Sequence, residues 1–313
     1  MIKQPRIPWL APLFSRNPAA IKALGRRTIS RTFLYVMLAG LSFVFLFPIL
    51  YMMVTSFMPL SDILNVTVRW IPTSLTLENY GYALKFLGYD RYIWNSLMVV
   101  ILSTVGHIAS CALIAYGFAR YKFPGSKLLF VLVLLTIIVP VQVLLVPTYL
   151  QYSNFGWIGT YFPIILPTYL GFGLRGGLYI FIFRQFFLDM SKELEEAARI
   201  DGCGSFKIFY RIMMPLARPA IVVSTLLSVV WHWNDYLEPS LYLTRMNNWM
   251  LTQHLPRLYT FLSDNTVRTG EEIFYTEGTV MAGTLAALLP VIIVYLFLQK
   301  GFVEGIEKTG IKE

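Results

Sequence analysis

Residues 191–219 read SKELEEAARIDGCGSFKIFYRIMMPLARP, the longest polar, helix-forming stretch lying between hydrophobic runs. Ser191 is placed to cap a helix, and Glu193, Glu195 and Glu196 load its first turns with negative charge near the positive helix end. Ala197 and Ala198 keep the helix slim, so that another surface can approach its backbone closely. Gly202 can take the left-handed conformation that ends a helix. Ser205 is placed to cap a second short helix, Phe206 to Met214, which stops before Pro215, and Pro219 suits the first turn of the next hydrophobic helix. The expectation is a rigid knob made of a capped helix, a glycine corner, a second helix and a proline-framed return into an apolar run.

Composition says what surrounds the knob. The chain has 313 residues, of which 56% are hydrophobic and 14% charged, with a mean hydropathy of +0.60. A soluble domain carries roughly 25% charged residues. About 20 mostly apolar residues cross a hydrocarbon core, and six such runs can be drawn: Phe33–Phe57, Asn95–Ala119, Leu128–Leu150, Tyr161–Phe186, Pro219–Leu243 and Thr279–Phe302. The fold class expected is an all-α integral membrane protein of six transmembrane helices. A basic N-terminal segment (1–32) precedes the six-span domain (33–302, with the knob at 191–215), and a tail (303–313) follows it. The first apolar run is too long for a signal-peptide core and lacks a small-residue cleavage site, so it reads as a retained span.

The net charge of +9 and pI near 9.5 do not point to nucleic acid, because there is no long Lys/Arg tract or aromatic-interleaved basic patch. The basic residues sort by side of the membrane instead. Seven lie between Lys3 and Arg31. Three more are Arg120, Lys122 and Lys127; six are Arg184, Lys192, Arg199, Lys207, Arg211 and Arg218; and three are Lys300, Lys308 and Lys312. These 19 fall on one side, against Arg69, Lys85, Arg91, Arg245, Arg257 and Arg268 on the other. The positive-inside rule then places both termini and the knob in the cytoplasm. Cys111 lies in an apolar run and Cys203 in the knob, so no disulfide is expected, and no Cys/His spacing suits a metal.

Within the spans, Pro48 is tolerable where neighbours satisfy the freed carbonyl. The small residues Ala109, Ser110, Ala112, Ala115 and Gly117 suit close helix packing. Pro140, Gln142 and Pro147 describe a kinked third span facing protein or a water-filled cavity. Arg175, near the middle of a fourth span broken by Pro163, Pro167 and glycines, lines a polar path or pairs with a neighbouring helix. A cation at that depth otherwise costs at least about 2.5–3.5 kcal/mol. His107 reads as a hydrogen-bonded packing residue. His232, Asp235 and Glu238 lie near the membrane edge, where tryptophan and tyrosine also gather for physical reasons.

The pattern Glu196-Ala197-Ala198-x-x-Asp201-Gly202, followed by Phe206, Phe209, Pro215 and Pro219, resembles the EAA motif of bacterial ABC-importer permeases. Five specified positions, at usages of roughly 5–9% each, match by chance on the order of once per million start points. Cys203 departs from the small residue usual there. Further phrases in the same order resemble the carbohydrate, maltose-type members. One is Ile71-Pro72 with Thr76, Asn79 and Tyr80, where Pro72, Thr76 and Asn79 could equally cap short interfacial helices. Another is Trp233-Asn234-Asp235 with Pro239, and the last is the tail with Gly305, Gly310 and Lys312. Glu307-Lys308-Thr309 departs from the small residues usual in that tail.

The resemblance implies a permease subunit of an ABC importer in the bacterial cytoplasmic membrane, moving a sugar or oligosaccharide. Glu196, Ala197, Ala198, Asp201, Gly202, Phe206 and Pro215 would form the coupling segment that docks on a cytoplasmic ATPase, and Gly305, Gly310 and Lys312 would touch that ATPase from the tail. Gln142, Arg175, Asn234 and Asp235 are the candidates for the translocation path. The partners implied are a second homologous permease subunit, as a heterodimer because no internal duplication is present, two ATP-binding subunits, an extracellular or periplasmic sugar-binding protein and the lipid bilayer. The polar, aromatic loop Thr244–Glu277, with Trp249, Tyr259, Phe261 and Tyr275, matches the one that reaches the binding protein in one maltose-type subunit. No catalytic residue and no cofactor is expected in this chain. It lacks a G-x-x-x-x-G-K-[ST] loop, so ATP and magnesium belong to the partner. The alternatives are an ABC permease for another solute, or an ion-coupled secondary carrier, which usually carries repeats and an intramembrane acid.

Overall fold

The computed structural model describes the backbone of residues 18–65, 67–68, 70–263 and 276–310, with side chains from 30 to 260 (except 66 and 69) and from 276 to 302. Among the described residues all regular elements are helical: α1 (Pro18–Ser56), α2 (Leu60–Ile63), α3 (Glu78–Leu87), α4 (Tyr89–Arg120), α5 (Ser126–Ile138), α6 (Val141–Asn154), α7 (Phe162–Ile165), a 3-10 turn (Leu166–Leu170), α8 (Gly176–Asp189), α9 (Glu193–Ile200), α10 (Ser205–Ile208), a π turn (Phe209–Met213), α11 (Met214–Leu216), α12 (Arg218–Asn234), α13 (Leu237–Tyr242), a three-residue 3-10 stretch (Met246–Asn248), α14 (Leu251–Ser263) and α15 (Glu277–Gly310).

Among the described residues, three helices hold unbroken apolar runs long enough to cross a membrane: Ser30–Ser56, Tyr89–Arg120 and Glu277–Phe302. Pro48 lies inside the first without ending it. Residues 30–50 of α1 are exposed all round, as befits a helix meant for lipid or a neighbouring subunit. The buried centre is α4. Its inward side carries Ser96, Ser103, Thr104, Gly106, His107, Cys111, Ala112, Ala115 and Tyr116, and it packs on α8, α12 and the 3-10 turn.

Two further runs are bent. The expected third span breaks between α5 and α6 at 103°: Val139 is extended ahead of Pro140, as sterics with the proline ring require, while Pro147 stays inside α6. The helix Ser205–Leu216 meets α12 at 77°. The described helices therefore supply three spans, or up to five if each bent pair is one.

The expected fourth span, Tyr161–Phe186, is broken as its prolines and glycines indicated. Gly171, Gly173 and Arg175 take positive φ and separate α7 and the 3-10 turn from α8. The expected fifth span, Pro219–Leu243, is also cut short: α12 ends at Asn234, and the Asp235 carboxylate accepts the Leu237 and Glu238 amides to start α13.

Two apolar clusters lie toward opposite ends of α4. One joins Ala112, Ala115 and Tyr116 to Phe183, Phe187, Ile208, Phe209 and Met213. The other joins Val99 and Val100 to Leu87, Trp233, Leu243, Met250, Leu251 and Leu258. Of the expected small-residue stretch, Ala112 and Ala115 are buried and Ser110 donates to the Thr168 carbonyl at 2.6 Å. Ala109 is exposed, and nothing lies within 4 Å of a side chain added at Gly117. The tightest approach of α4 is instead Gly106, where a Cβ would run into Thr168 and the Tyr169 ring. Gly106→Val is expected to destabilise the chain by about 1–3 kcal/mol through overpacking, read as a lower unfolding midpoint in detergent. An unchanged midpoint would show that this contact yields freely.

Candidate functional site

The knob folds as a local unit. The Ser191 hydroxyl accepts the Glu193 amide at 3.2 Å, but the capping position of α9 belongs to Lys192, whose carbonyl takes the first helical bonds and whose side chain makes none. Gly202 has φ 78°, its amide reaches the Arg199 carbonyl at 3.0 Å, and the Cys203 amide reaches the Ala198 carbonyl at 2.9 Å. Those crossed bonds close the C-terminus of α9 in a Schellman motif.

The second helix differs from the sequence expectation in two ways. Ser205 does not cap it, because Gly204 holds the extended capping position and Ser205 is already helical. Nor does the helix stop before Pro215. It runs through the π turn Phe209–Met213 into α11, with Pro215 in the first turn of α11. The wider π turn loosens the backbone ladder where proline brings no N–H and crowds the carbonyl four residues back. Pro219 does sit in the first turn of α12.

The knob has two faces. Glu196, Ala197, Asp201, Gly202, Phe206 (72%) and Pro215 are exposed, as are Ile200 and Tyr210 at 86% and 69%. Ala198, expected on that surface, is turned into the core with Ile208, Phe209 and Met213. The exposed surface of the knob is thus apolar at Ile200, Phe206 and Tyr210 and of mixed charge around them, with Glu193, Glu196 and Asp201 beside Lys192, Arg199, Lys207 and Arg211.

The inner face holds a residue that reads in the sequence only as negative charge near the start of the helix. Glu195 is buried, its carboxylate 2.6 Å from the Arg120 guanidinium and 3.1 Å from the Tyr116 hydroxyl that donates to it. Arg120 also donates to the Met190 carbonyl at 2.9 Å. Arg120 is therefore an interior anchor as well as one of the cations at the end of α4. The only sequence signal was that Glu195 shares a helix face with Ala198, three residues on.

A cavity of about 900 Å³ opens between α4, α5, α6, α8 and α13. Gln142 and Arg175 line it, with Thr148, Tyr152, Glu238 and Tyr242. Arg175 sits at the break before α8, with φ 65° and its guanidinium 5.2 Å from the centre of the Trp231 ring. A non-glycine residue in that left-handed region is strained. The break removes the anomaly of a cation in mid-helix. Asn234 and Asp235 are not among the lining residues: Asn234 donates to the Val230 carbonyl at 2.8 Å, and Asp235 starts α13. Trp233 is buried, with its indole N–H on the Ala287 carbonyl at 3.0 Å. Along the cavity-facing break, His107 lies within 3.4 Å of Ser228 and 3.3 Å of the Phe172 carbonyl. His232, read from sequence as a membrane-edge residue, is buried with its ring 5.3 Å from that of His107. Cys111 and Cys203 are both free thiols.

At the opposite end from the knob, Asn79 bridges three segments. It donates to the Ser56 and Met58 carbonyls and accepts from Thr276 and Thr279. Thr76 accepts the Glu78 amide at the start of α3. Asn95 holds the Asn247 and Trp249 carbonyls, and Ser96 accepts the Leu251 amide. His254 stacks on Tyr92, and burial, with the Arg257 charge adding to it, holds the imidazole down at about 4, so it is neutral at pH 7. Gly305 and Gly310 fall in the last turns of α15. Lys312, Arg268 and Tyr275 lie outside the described residues, as does the Phe261 side chain.

Residues 108–308 match the family model described as the binding-protein-dependent transport system inner membrane component. The arabinooligosaccharides transport system permease protein AraQ of Bacillus subtilis (strain 168) is 32% identical over 289 residues, covering 91% of this chain and 95% of that protein. The sn-glycerol-3-phosphate transport system permease protein UgpE of Brucella abortus (strain 2308) is 29% identical, covering 84% and 91%. Among solved structures, a bacterial ABC transporter involved in the import of the acidic polysaccharide alginate shares the fold. It has a TM-score of 0.73 and 24% identity, and the match covers 87% of this chain and 96% of that one.

Proposed function

Because the chain belongs to the family of binding-protein-dependent transport system inner membrane components, we propose that it is the permease subunit of an ATP-driven importer for a sugar or oligosaccharide. It is a multi-pass membrane protein and a transporter component, not an enzyme. The sugar assignment is supported by relatives such as AraQ. UgpE, whose name gives a phosphorylated solute, keeps a non-sugar cargo as the second reading, and the exposed Arg175 in the cavity wall favours keeping it.

One observation carries the reading. The knob closes on itself through local bonds yet leaves Ile200, Phe206 and Tyr210 uncovered among exposed charges of both signs, inside the segment that matches the family. That face is the coupling surface, made of Glu196, Ala197, Asp201, Gly202, Phe206 and Pro215. Its partner is a cytoplasmic subunit that binds ATP and magnesium, present in two copies. The 19-to-6 distribution of basic residues supports a cytoplasmic knob and cytoplasmic termini. Six spans result if the three straight helices, the two bent pairs and the broken segment Phe162–Asp189 each count as one, with segments 1–32 and 303–313 outside the membrane.

A second, homologous permease covers the cavity, so that Gln142 and Arg175 face the solute path. An extracellular binding protein delivers the solute to the α13–α14 end. ATP binding then closes the two ATPase subunits, whose grooves carry the knobs inward, and the permease pair rocks between outward-facing and inward-facing states.

The test is an affinity pull-down from detergent-solubilised membranes, comparing wild type with Glu196→Lys/Gly202→Pro. Proline cannot adopt the positive φ at 202. A second permease and an ATPase should copurify with wild type, and the ATPase should be lost from the variant. Uptake should fail on ATP depletion and survive collapse of the ion gradient. A wild-type chain that comes out alone and transports without ATP would make the knob a surface helix and the protein a secondary carrier.

A further inference from the structure

Docking accounts for the exposed face of the knob and leaves its buried face unexplained. The α9 residue that joins the apolar core is the small Ala198. The rest of the attachment is polar. Glu195 accepts from the Tyr116 hydroxyl, 79 positions away in the chain, at 3.1 Å, pairs with Arg120 at 2.6 Å and lies 4.0 Å from Arg199 on its own helix. Arg120 also holds Met190, the residue that ends α8. One guanidinium thus ties together the end of α4, the end of α8 and the start of α9. The two side chains are 3% and 6% exposed.

A buried ion pair is an inefficient stabiliser, because removing two charges from water offsets most of their attraction, and apolar residues of similar size often serve as well. What the pair supplies is position, since one flat, rigid guanidinium meets the Glu195 carboxylate at Nε and the Met190 carbonyl at Nη2. The elements it joins are not arbitrary. Ile114 and Phe118 of α4 and Gly176, Gly177 and Ile180 of α8 line the cavity.

We propose that Arg120 is a positioning residue acting through Glu195, a pin that transmits displacement of the docked knob to α4 and α8 and so to the cavity wall. Without it α9 would swing on its flanking segments, Ser191–Lys192 and Cys203–Gly204, and ATP-driven movement would be lost before reaching the spans. This inference rests on the docking reading above.

The experiment uses the complete importer, this chain with its permease partner and ATP-hydrolysing subunits, in lipid nanodiscs. Gln142→Cys in a Cys203→Ser background reports on the cavity through its rate of labelling by a soluble maleimide, with and without ATP and vanadate. With the native pair, ATP and vanadate should change that rate. In Arg120→Met/Glu195→Met the subunits should stay assembled and hydrolyse ATP, while the nucleotide-driven change shrinks about tenfold, the size of an ordinary coupling energy. The exchanged pair, Arg120→Glu/Glu195→Arg, should restore part of it. An undiminished change in the double methionine chain overturns the pin. If no variant pair assembles, the residues serve folding alone and the proposal is equally overturned. Loss of the ATPase subunits from the native chain would instead count against the docking reading.

Discussion

Ala197→Arg should leave the chain folded but release the ATP-hydrolysing subunit and cut uptake by about 100-fold. Ala197 is exposed on α9, arginine is nearly as good a helix former as alanine, and nothing of the core depends on the alanine methyl. At a docked surface the same change is severe. The small side chain lets a partner groove approach the α9 backbone, and a long cation either holds the surfaces apart or is buried unpaired, at about 2–5 kcal/mol. The chain should keep its wild-type unfolding midpoint in detergent and lose its partner on size-exclusion chromatography. Ala197→Leu, with bulk but no charge, should lie between. If the arginine chain retains the ATPase and transports normally, this face is not the docking surface.

Arg120→Met alone should be among the most destabilising single changes in the protein, at about 3–5 kcal/mol. It leaves the Glu195 carboxylate buried, with the Tyr116 hydroxyl and the distant Arg199 as its company, and it frees the Met190 carbonyl. Adding Glu195→Met removes the orphaned charge and should recover most of the loss, a strong non-additivity expected of residues in direct contact. The comparison is made by thermal unfolding of the wild type, both single variants and the double variant in one detergent. Equal midpoints for Arg120→Met and the double variant would mean that water reaches Glu195 and the pair is not buried in solution.

These two expectations come from different depths of information. Ala197 is legible in the sequence, because everything that shapes the outer knob is local. A hydroxyl two residues ahead of Glu193 and a glycine free to take positive φ act over a few residues of chain, so Ser191 and Gly202 could be read as the ends of one helix. The long apolar runs of α1, α4 and α15 were legible for a similar reason, since membrane crossing depends on length and composition alone. Pro140 as a bend in the third span follows from one ring and one missing N–H.

Only the tertiary structure decided which way residues face and where helices break. Glu195 and Glu196 are neighbours of identical chemistry, yet one is sealed against Arg120 and the other is exposed, because burial depends on what α4 and α8 bring to the spot. The same holds for Asp235, which begins a short helix instead of lining the cavity, and for Arg175, which itself takes the left-handed conformation at a break that the sequence assigned to prolines and glycines. Capping and hydropathy are short-range quantities summed along the chain. The direction of a side chain is set by packing between segments far apart in it, and a single sequence does not contain that sum.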